Sequence, residues 1–223
     1  MGFLEEVMEE SVNIHFKDFE DTDKYIKSFM YMKGFAVGRK LPMTLTALSI
    51  SRVAHMKQCR KDKITPYFTH PLYVASLLVM LDVDDDIVLA ASLLHDVLED
   101  TEITKEELLT YEIGEEVLYL VELLTKDSGL NADQLTKYFN EIKKDERAAL
   151  IKCSDRVHNC STLENFGREK ILSYIEETEK YVLPLTSYCM SFYPKYTSLF
   201  SLFKCILSDQ TKSMKAMINK VDL

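Results

Sequence analysis

The sequence predicts an all-α protein, and three observations support this prediction. Apolar residues recur at helical spacing along most of the chain, no stretch alternates polar and apolar residues over a useful strand length, and the 223 residues include only 6 Gly and 5 Pro. Few glycines and prolines favour long regular elements over many tight turns. We therefore expect a bundle of helices with a sizeable core.

The first element is an N-terminal helical extension, residues 1–42. An amphipathic segment begins at Phe3 and Val7, with acidic residues on its other side. The stretch GFAVGRKLP, residues 34–42, contains two glycines and a proline and predicts a break after this extension.

The central elements surround a basic loop. Thr44 is the predicted N-cap of the first central helix, and Asp84–Asp86 provide caps and first-turn acids for the last one. The stretch CRKDKITPY predicts a loop, closed by Pro66. The predicted helices are 44 to about 58, 72 to about 81, and 87–98.

The C-terminal half continues as helices. Thr104 and Glu107 have the spacing of a capping box, which predicts a short helix ending near Tyr111. Further helices are predicted over 115–126, 145–164 and 169–221, the last one bent at Pro184 and Pro194. We expect a core of residues 43–165 and a C-terminal extension, 166–223, packed on it.

Composition and charge exclude several classes of function. A net charge of −9 argues against binding long nucleic acid, although a local cluster of Lys and Arg could hold a small anion. Five cysteines without a CxxC pair favour a reduced, cytoplasmic setting over a disulfide framework. The N-terminus has no secretory-signal pattern, and no apolar run approaches membrane-spanning length.

The segment LLHDVLEDTEIT, residues 93–104, has the features of a functional site. It places His95, Asp96, Glu99 and Asp100 at the end of the apolar run IVLAASLL. Residues four apart share a helix face, and carboxylates are unfavourable near the negative C-terminal end of a helix. A divalent cation would offset this accumulation of negative charge.

Two other segments supply further candidate ligands. TPYFTHP contains His70 at the start of an apolar helix, and LIKCSDRVHNCSTL contains Asp155 within another. A mixed set of imidazoles and carboxylates suits Mn²⁺, Fe²⁺ or Zn²⁺ better than Ca²⁺. Glu99 and Asp100 could then orient and deprotonate a metal-bound water, whose pKa can fall towards about 7.

These segments carry a resemblance to a known family. The order His…HD…D is the signature of the HD phosphohydrolase superfamily. Together, HMKQCRKDKITPYFTHP, LLHDVLEDT and IKCSDRVHNCSTL resemble the hydrolase domain of the RelA/SpoT family, which degrades the alarmone (p)ppGpp. The similarity runs from about Ala47 to Leu163. About sixty residues follow, too few for the family's synthetase domain, so the chain resembles the stand-alone small alarmone hydrolases.

The resemblance implies an HD-domain helical bundle and a role for each motif residue. It implies removal of the 3′-pyrophosphate of (p)ppGpp, usually with Mn²⁺ as the cofactor. The implied metal ligands are His70, His95, Asp96 and Asp155, and the implied catalytic pair that activates water is Glu99 and Asp100. Substrate contacts are implied for Arg60, Lys61, Asn159 and Thr162, and the helical spacing of Asp155, Asn159 and Thr162 agrees with one stripe facing one site.

The sequence departs from the family at a few positions. Met56 and Lys57 stand where the family often has a glycine, and Cys153 and Cys160 stand where aliphatic residues or methionine are commoner. None of these removes a predicted ligand, so they concern the fit of the substrate.

Other interpretations stay open. The activity could instead be that of an HD-family phosphatase or nucleotidase acting on another nucleotide, such as NADPH, or the protein could be a non-catalytic alarmone sensor. The acidic pair could be a solvated helix end, Arg60 and Lys61 an exposed loop pair, and Asn159 and Thr162 helix-capping residues. His55 is interpreted as a structural or supporting histidine. The aromatic tail YPKYTSLFSLF could be core, a lid, or a surface for homo-oligomer formation.

Overall fold

The structure, a computed structural model, describes residues 22–127, 129–163 and 166–221. Every regular element within these ranges is helical, which confirms the all-α prediction. None of the helices in this part of the chain is both long and apolar enough to cross a membrane. The amphipathic segment predicted at Phe3 and Val7 lies outside the described residues.

The chain divides into two compact units, residues up to Thr125 and residues from Lys126 onward. The expected division into 1–42, 43–165 and 166–223 was based on the sequence motifs, whereas these two units are defined by packing. That division stays a prediction. In the first unit the helices are α1 (Thr22–Arg39), α2 (Pro42–Ala54), α3 (Thr69–Met80), α4 (Asp86–Leu94), α5 (Val97–Asp100), α6 (Lys105–Leu109) and α7 (Glu115–Leu124).

The break between α1 and α2 lies within the predicted stretch 34–42, but the glycines do not cause it. Gly34 and Gly38 both lie inside α1, with open space where a Cβ would stand, so the helix continues through them. The break occurs at Lys40, which has a φ of 58°. Lys40 rather than either glycine therefore ends the helix.

The start of α2 also corrects the sequence interpretation. Thr44 is not an N-cap: it lies inside α2 and is fully buried. Asp86, from the first turn of α4, accepts hydrogen bonds from the backbone N–H of Met43 (3.1 Å) and of Thr44 (2.7 Å) and from the Thr44 hydroxyl (2.7 Å). A side chain distant in sequence thus satisfies amide donors that a local cap usually serves.

Helix α4 is the centre of the first unit. Its sequence, DIVLAASLL, is apolar on all sides, and every residue from Val88 to Leu94 is buried. It packs against α2, α3 and α7, as expected for a helix without a polar face. Asp85 is its N-cap and accepts from two backbone amides, which confirms the capping predicted for 84–86.

Helix α4 ends earlier than predicted. The sequence suggests one helix over 87–98, but α4 stops at Leu94 and α5 begins at Val97. The ring Nδ1 of His95 lies 2.7 Å from the carbonyl oxygen of Ser92, the acceptor that a continuing helix would offer to the amide of Asp96. His95 and Asp96 therefore lie at a junction between two helices.

The other helices of the first unit are confirmed, with different ends. Helix α2 stops at Ala54 instead of near Gln58, and α3 begins at Thr69, three residues before the predicted start. Thr104 and Glu107 form the expected capping box at the start of α6. Helix α7 covers most of the predicted 115–126.

The second unit consists of the helices α8 (Ala132–Ile142), α9 (Glu146–Ser161), α10 (Arg168–Glu177), α11 (Leu183–Phe192) and α12 (Thr197–Val221), with a π-helical segment at Thr178–Val182 and a 3₁₀ turn at Pro194–Tyr196. Helix α12 packs against α9, α10 and α11. Phe200, Phe203 and Leu207 of α12 are fully buried and form its core face.

Two prolines lie where the helix type changes in the C-terminal part. Pro184 lies in the first turn of α11, directly after the π-helical segment, and Pro194 begins the 3₁₀ turn before α12. The break at Pro194 was predicted, whereas the chain stays helical at Pro184, where α10, the π-helical segment and α11 follow one another without a gap. Helix α8, with a capping box of Asn131 and Gln134, was missed in the sequence.

Candidate metal centre and active site

Two imidazoles converge on one carboxylate in the first unit. His70 is the second residue of α3, and His95 and Asp96 occupy the junction between α4 and α5. Nε2 of His70 lies 3.3 Å from Oδ2 of Asp96, and Nε2 of His95 lies 3.3 Å from Oδ1. Both imidazoles are almost completely buried. Three predicted ligands of this unit thus lie together.

The protonation of His95 indicates what this group can bind. The Ser92 carbonyl can only accept, so Nδ1 of His95 carries a proton, and Nε2 offers a lone pair whenever the ring is neutral. That lone pair and the Asp96 oxygen are both acceptors, so they repel each other at close range. A proton or a metal ion bound between them makes their approach favourable. Two imidazole nitrogens and a carboxylate suit a divalent transition metal, and a backbone carbonyl that orients the other ring nitrogen is usual for a metal-binding histidine.

Asp96 is directed to this group rather than to its own helix. It occupies the N-cap position of α5, where an aspartate normally accepts from the first amides, but its side chain makes no capping hydrogen bond. Oδ2 instead accepts from the Tyr67 hydroxyl at 2.8 Å. The carboxylate is therefore positioned by the imidazoles and Tyr67.

Tyr67 joins the metal group to the predicted acidic pair. Its hydroxyl lies 2.7 Å from Oδ2 of Asp100 as well. Burial raises the pKa of Tyr67, and the charges of Asp96 and Asp100 raise it further, so the phenol stays protonated and donates. Asp96 and Asp100 thus share one face, as their spacing predicts. Glu99, also on α5, is exposed.

The basic pair lies in the predicted loop between α2 and α3. Asp62 accepts from the amides of Ile64 and Thr65 and tightens this turn. The Arg60 guanidinium carbon lies 5.7 Å from the centre of the Tyr67 ring, within cation–π range. Arg60 is therefore beside the acidic group, whereas Lys61 is exposed on the turn.

The remaining predicted residues lie on or next to α9 in the second unit. Asp155 is buried, and both of its oxygens are occupied: Lys152 donates to Oδ2 at 3.1 Å and Asn159 donates to Oδ1 at 2.5 Å. The bond between Asp155 and Asn159 confirms that they share a helix face. Thr162 follows the end of α9, and its hydroxyl lies 3.3 Å from the carbonyl oxygens of His158 and Asn159.

A buried ion cluster supports the same helix. The Arg156 guanidinium donates to Glu177, and Lys126 Nζ lies 3.3 Å from the same carboxylate. Burial alone would raise the pKa of Glu177, but Arg156, Lys126 and Lys152 outweigh it and hold the pKa below its ordinary value. Glu177 is therefore ionised and anchors the α9 arginine that follows Asp155.

Sequence reasoning missed two residues of the first unit. Tyr67 stands three residues before His70, a spacing that places both near the start of one helix and could have been noticed. Gln58 donates from its side-chain amide to the backbone carbonyl of Asp100 at 2.6 Å. Gln58 lies within the motif stretch HMKQCRKDKITPYFTHP, but nothing in that stretch pairs it with Asp100, 42 positions further along the chain.

Comparisons with known proteins agree with this geometry. The family model of the HD domain matches residues 47–185. A probable GTP pyrophosphokinase of Mycobacterium leprae is 35% identical over 69% of this chain and 20% of its own length. A probable guanosine-3′,5′-bis(diphosphate) 3′-pyrophosphohydrolase of Synechocystis is 38% identical over 60% of this chain and 18% of its own length. The matches thus span about a fifth of these relatives.

A solved structure is also similar. It belongs to a metazoan ortholog of SpoT that hydrolyzes ppGpp and plays a role in starvation responses. It superposes with a TM-score of 0.62 at 25% identity, over 77% of this chain and 94% of that one. The similarity therefore extends over nearly the whole of that protein.

Proposed function

We propose, from the premise that this chain belongs to the HD-domain family, that it is a metal-dependent hydrolase of (p)ppGpp. The reaction removes the 3′-pyrophosphate and gives GDP or GTP and pyrophosphate. Relatives named 3′-pyrophosphohydrolase and the similar SpoT ortholog support this substrate. The observation that carries the proposal is the convergence of His70 and His95 on Asp96, with Asp100 joined to Asp96 through Tyr67.

The proposed metal ligands are His70, His95, Asp96 and Asp155, with Mn²⁺ as the ion. The first three are supported by their approach in the first unit. Asp155 is assigned from its motif, SDRVHN, and its buried, doubly hydrogen-bonded carboxylate supports a fixed orientation. When bound, such an ion stabilises developing negative charge and lowers the pKa of water.

The acidic pair supplies the base in this proposal. Oδ2 of Asp100 is held by Tyr67, and Oδ1 accepts the proton of the attacking water, with Glu99 as the second member of the pair. The water oxygen forms a bond to the phosphorus attached to the 3′-oxygen, the bond from phosphorus to the 3′-oxygen breaks, and that oxygen takes up a proton. General-base assistance of this kind contributes about 10²- to 10⁴-fold to a rate.

Four residues are proposed to bind the nucleotide. Arg60 and Lys61 would bind phosphate oxygens, for which a guanidinium beside a tyrosine ring is well suited. Asn159 and Thr162 would contact the nucleoside. The partner is thus a small anionic nucleotide, and the five free cysteines agree with a reduced cytoplasmic setting.

Pyrophosphate release from ppGpp tests the proposal. We expect turnover by the Mn²⁺-loaded protein, and we expect Asp100→Asn to lower kcat by at least about a hundredfold, since it removes the base. Calorimetric titration should show that this variant still binds Mn²⁺. Asp84→Asn, which changes an exposed carboxylate paired with Arg39, is the matched control.

A panel of nucleotides that includes NADPH makes the test specific. The highest kcat/KM should belong to ppGpp. Absence of ppGpp turnover by the metal-loaded wild-type protein would disprove the proposal.

A further inference from the structure

The loop that follows α2 contacts the acidic helix α5 through Gln58 as well as through Tyr67. Gln58 lies three residues beyond His55, the C-cap residue of α2, and its backbone N–H donates to the His55 carbonyl at 3.0 Å. The Gln58 carbonyl accepts from the amide of Tyr67 at 2.9 Å. The backbone of Gln58 is therefore fixed on both sides, and its side chain reaches Asp100.

The orientation of the Gln58 amide follows from its two partners. The backbone carbonyl of Asp100 can only accept a hydrogen bond, so the group 2.6 Å from it is the amide nitrogen. The amide oxygen is then the atom that lies 2.7 Å from Nδ1 of His55. An amide that could be placed either way from shape alone has a single orientation here.

This orientation determines the tautomer of His55. An amide oxygen can only accept, so Nδ1 of His55 must carry a proton. His55 is fully buried. Burial lowers the pKa of His55, although the bond to Gln58 and the charges of Asp96 and Asp100 act in the opposite direction. The ring is thus neutral at pH 7, with its proton on Nδ1.

We propose that Gln58 is a positioning residue for Asp100, and that His55 fixes the Gln58 amide in the orientation this requires. The chain of bonds runs from His55 Nδ1–H to the Gln58 oxygen, and from the Gln58 amide nitrogen to the Asp100 carbonyl. Tyr67 holds the Asp100 side chain while Gln58 holds its backbone. Helix α5 has only four residues, so these contacts, more than helix propagation, set the position of the carboxylate.

The functional part of this inference depends on the proposed role of Asp100. A general base displaced by a fraction of an ångström loses its alignment with the water it activates, and a 1 Å error can cost about a hundredfold. Gln58→Ala should therefore lower kcat for ppGpp by about 10- to 100-fold and leave KM within about twofold. Mn²⁺ affinity should not change, because Gln58 has no contact with His70, His95 or Asp96 among its described bonds.

Two substitutions separate the halves of the chain of bonds. Gln58→Ala removes both bonds, whereas Gln58→Glu keeps an acceptor for His55 but has no donor for the Asp100 carbonyl. Both variants should speed hydrogen exchange of the peptide 97–101 in the Mn²⁺-loaded protein, since the Asp100 amide bonds to Asp96 within this turn at 2.8 Å. Gln134→Ala removes an exposed capping amide of α8 and is the matched control.

The tautomer of His55 gives a readout that needs no turnover. Two-bond ¹⁵N–¹H spectra of the protein loaded with diamagnetic Zn²⁺ should show the His55 proton on Nδ1 in the wild-type protein and in Gln58→Glu. In Gln58→Ala, the spectra should show a mixture of the Nδ1 and Nε2 tautomers. A proton on Nε2 in the wild-type protein would overturn the proposal, since the amide would then point the other way.

The other outcomes are also decisive. Unchanged exchange of peptide 97–101 in both Gln58 variants would overturn the positioning role. If the wild-type protein hydrolyses ppGpp and both Gln58 variants keep its kcat, the positioning role is also overturned, while the proposed function stands. If the wild-type protein does not hydrolyse ppGpp, the proposed function fails, and the tautomer and exchange measurements alone decide the role of Gln58.

Discussion

The hydroxyl oxygen of Tyr67 lies 2.7 Å from Oδ2 of Asp100. The same oxygen lies 2.8 Å from Asp96, so one phenol bridges a proposed metal ligand and the proposed base. A hydroxyl has a single proton and can donate to only one of these carboxylates at a time. The two carboxylates therefore share the one proton of the Tyr67 hydroxyl.

Tyr67→Phe tests the contribution of this hydroxyl. We expect kcat for ppGpp to fall roughly tenfold, the equivalent of about one net hydrogen bond. The affinity for nucleotide should stay close to that of the wild type, because the ring under Arg60 is retained. Steady-state kinetics measure both, and Tyr73→Phe, a half-exposed tyrosine of α3, is the control. An unchanged kcat would show that the hydroxyl does not position Asp100.

Metal binding should stabilise the folded protein. A ligand at a hundredfold excess over its Kd stabilises by about 2.7 kcal/mol if it binds only the native state. Mn²⁺ should therefore raise the thermal midpoint of the wild-type protein, and chelation should reverse this. His70→Ala and Asp96→Asn should abolish the shift, whereas Asp84→Asn should keep it. A full shift in both ligand variants would place the metal elsewhere.

Asp86 is expected to contribute more to stability than an ordinary helix cap. It accepts three hydrogen bonds from Met43 and Thr44, so Asp86→Ala leaves buried donors without their acceptor, at about 1–3 kcal/mol. Asp85→Ala, which removes only the local N-cap of α4, should cost about 1 kcal/mol. Urea unfolding compares the two variants. An equal loss of stability would contradict the bridging role of Asp86.

Glu177 should make stability depend on pH in the acid range. Its folded-state pKa lies below the ordinary 4.5, so its ion pairs contribute fully above that pH and are lost as the pH falls through the folded-state value. Glu177→Gln should destabilise by about 3 kcal/mol at pH 7, since it leaves Arg156 buried without its carboxylate.

The same variant should have a shallower loss of stability below pH 4.5 than the wild-type protein. Unfolding at several pH values measures this dependence, and Glu179→Gln, which changes an exposed pair with Lys215, is the control. Parallel curves for Glu177→Gln and the wild type would contradict the assignment.

Local signals in the sequence were sufficient for most helices. The capping box of Thr104 and Glu107 and the caps at 84–86 depend on neighbours within a few residues, and both were predicted correctly. Helix α8 carried equally local signals, Asn131 with Gln134 and the spacing of Leu135, Phe139 and Ile142, and could have been found.

Contacts between distant residues could not be predicted. Thr44 is a residue type that often caps helices, yet its own amide and hydroxyl donate to Asp86. No pattern near Thr44 reveals that partner. The end of α4 at Leu94 depends on the ring of His95 reaching back to Ser92, which competes with helix propagation in a way that periodicity cannot register. In the site, motif residues such as His70 and Asp96 were predicted, but Gln58 was not.

The dependence of α2 on Asp86 also sets an order of assembly. The bond from the Thr44 amide spans 42 positions along the chain, and a contact of this span must first overcome the entropy of closing the intervening loop. We therefore expect the first turn of α2 to consolidate only after α4 has docked. During synthesis, a nascent chain cannot complete this turn until Asp86 has emerged from the ribosome.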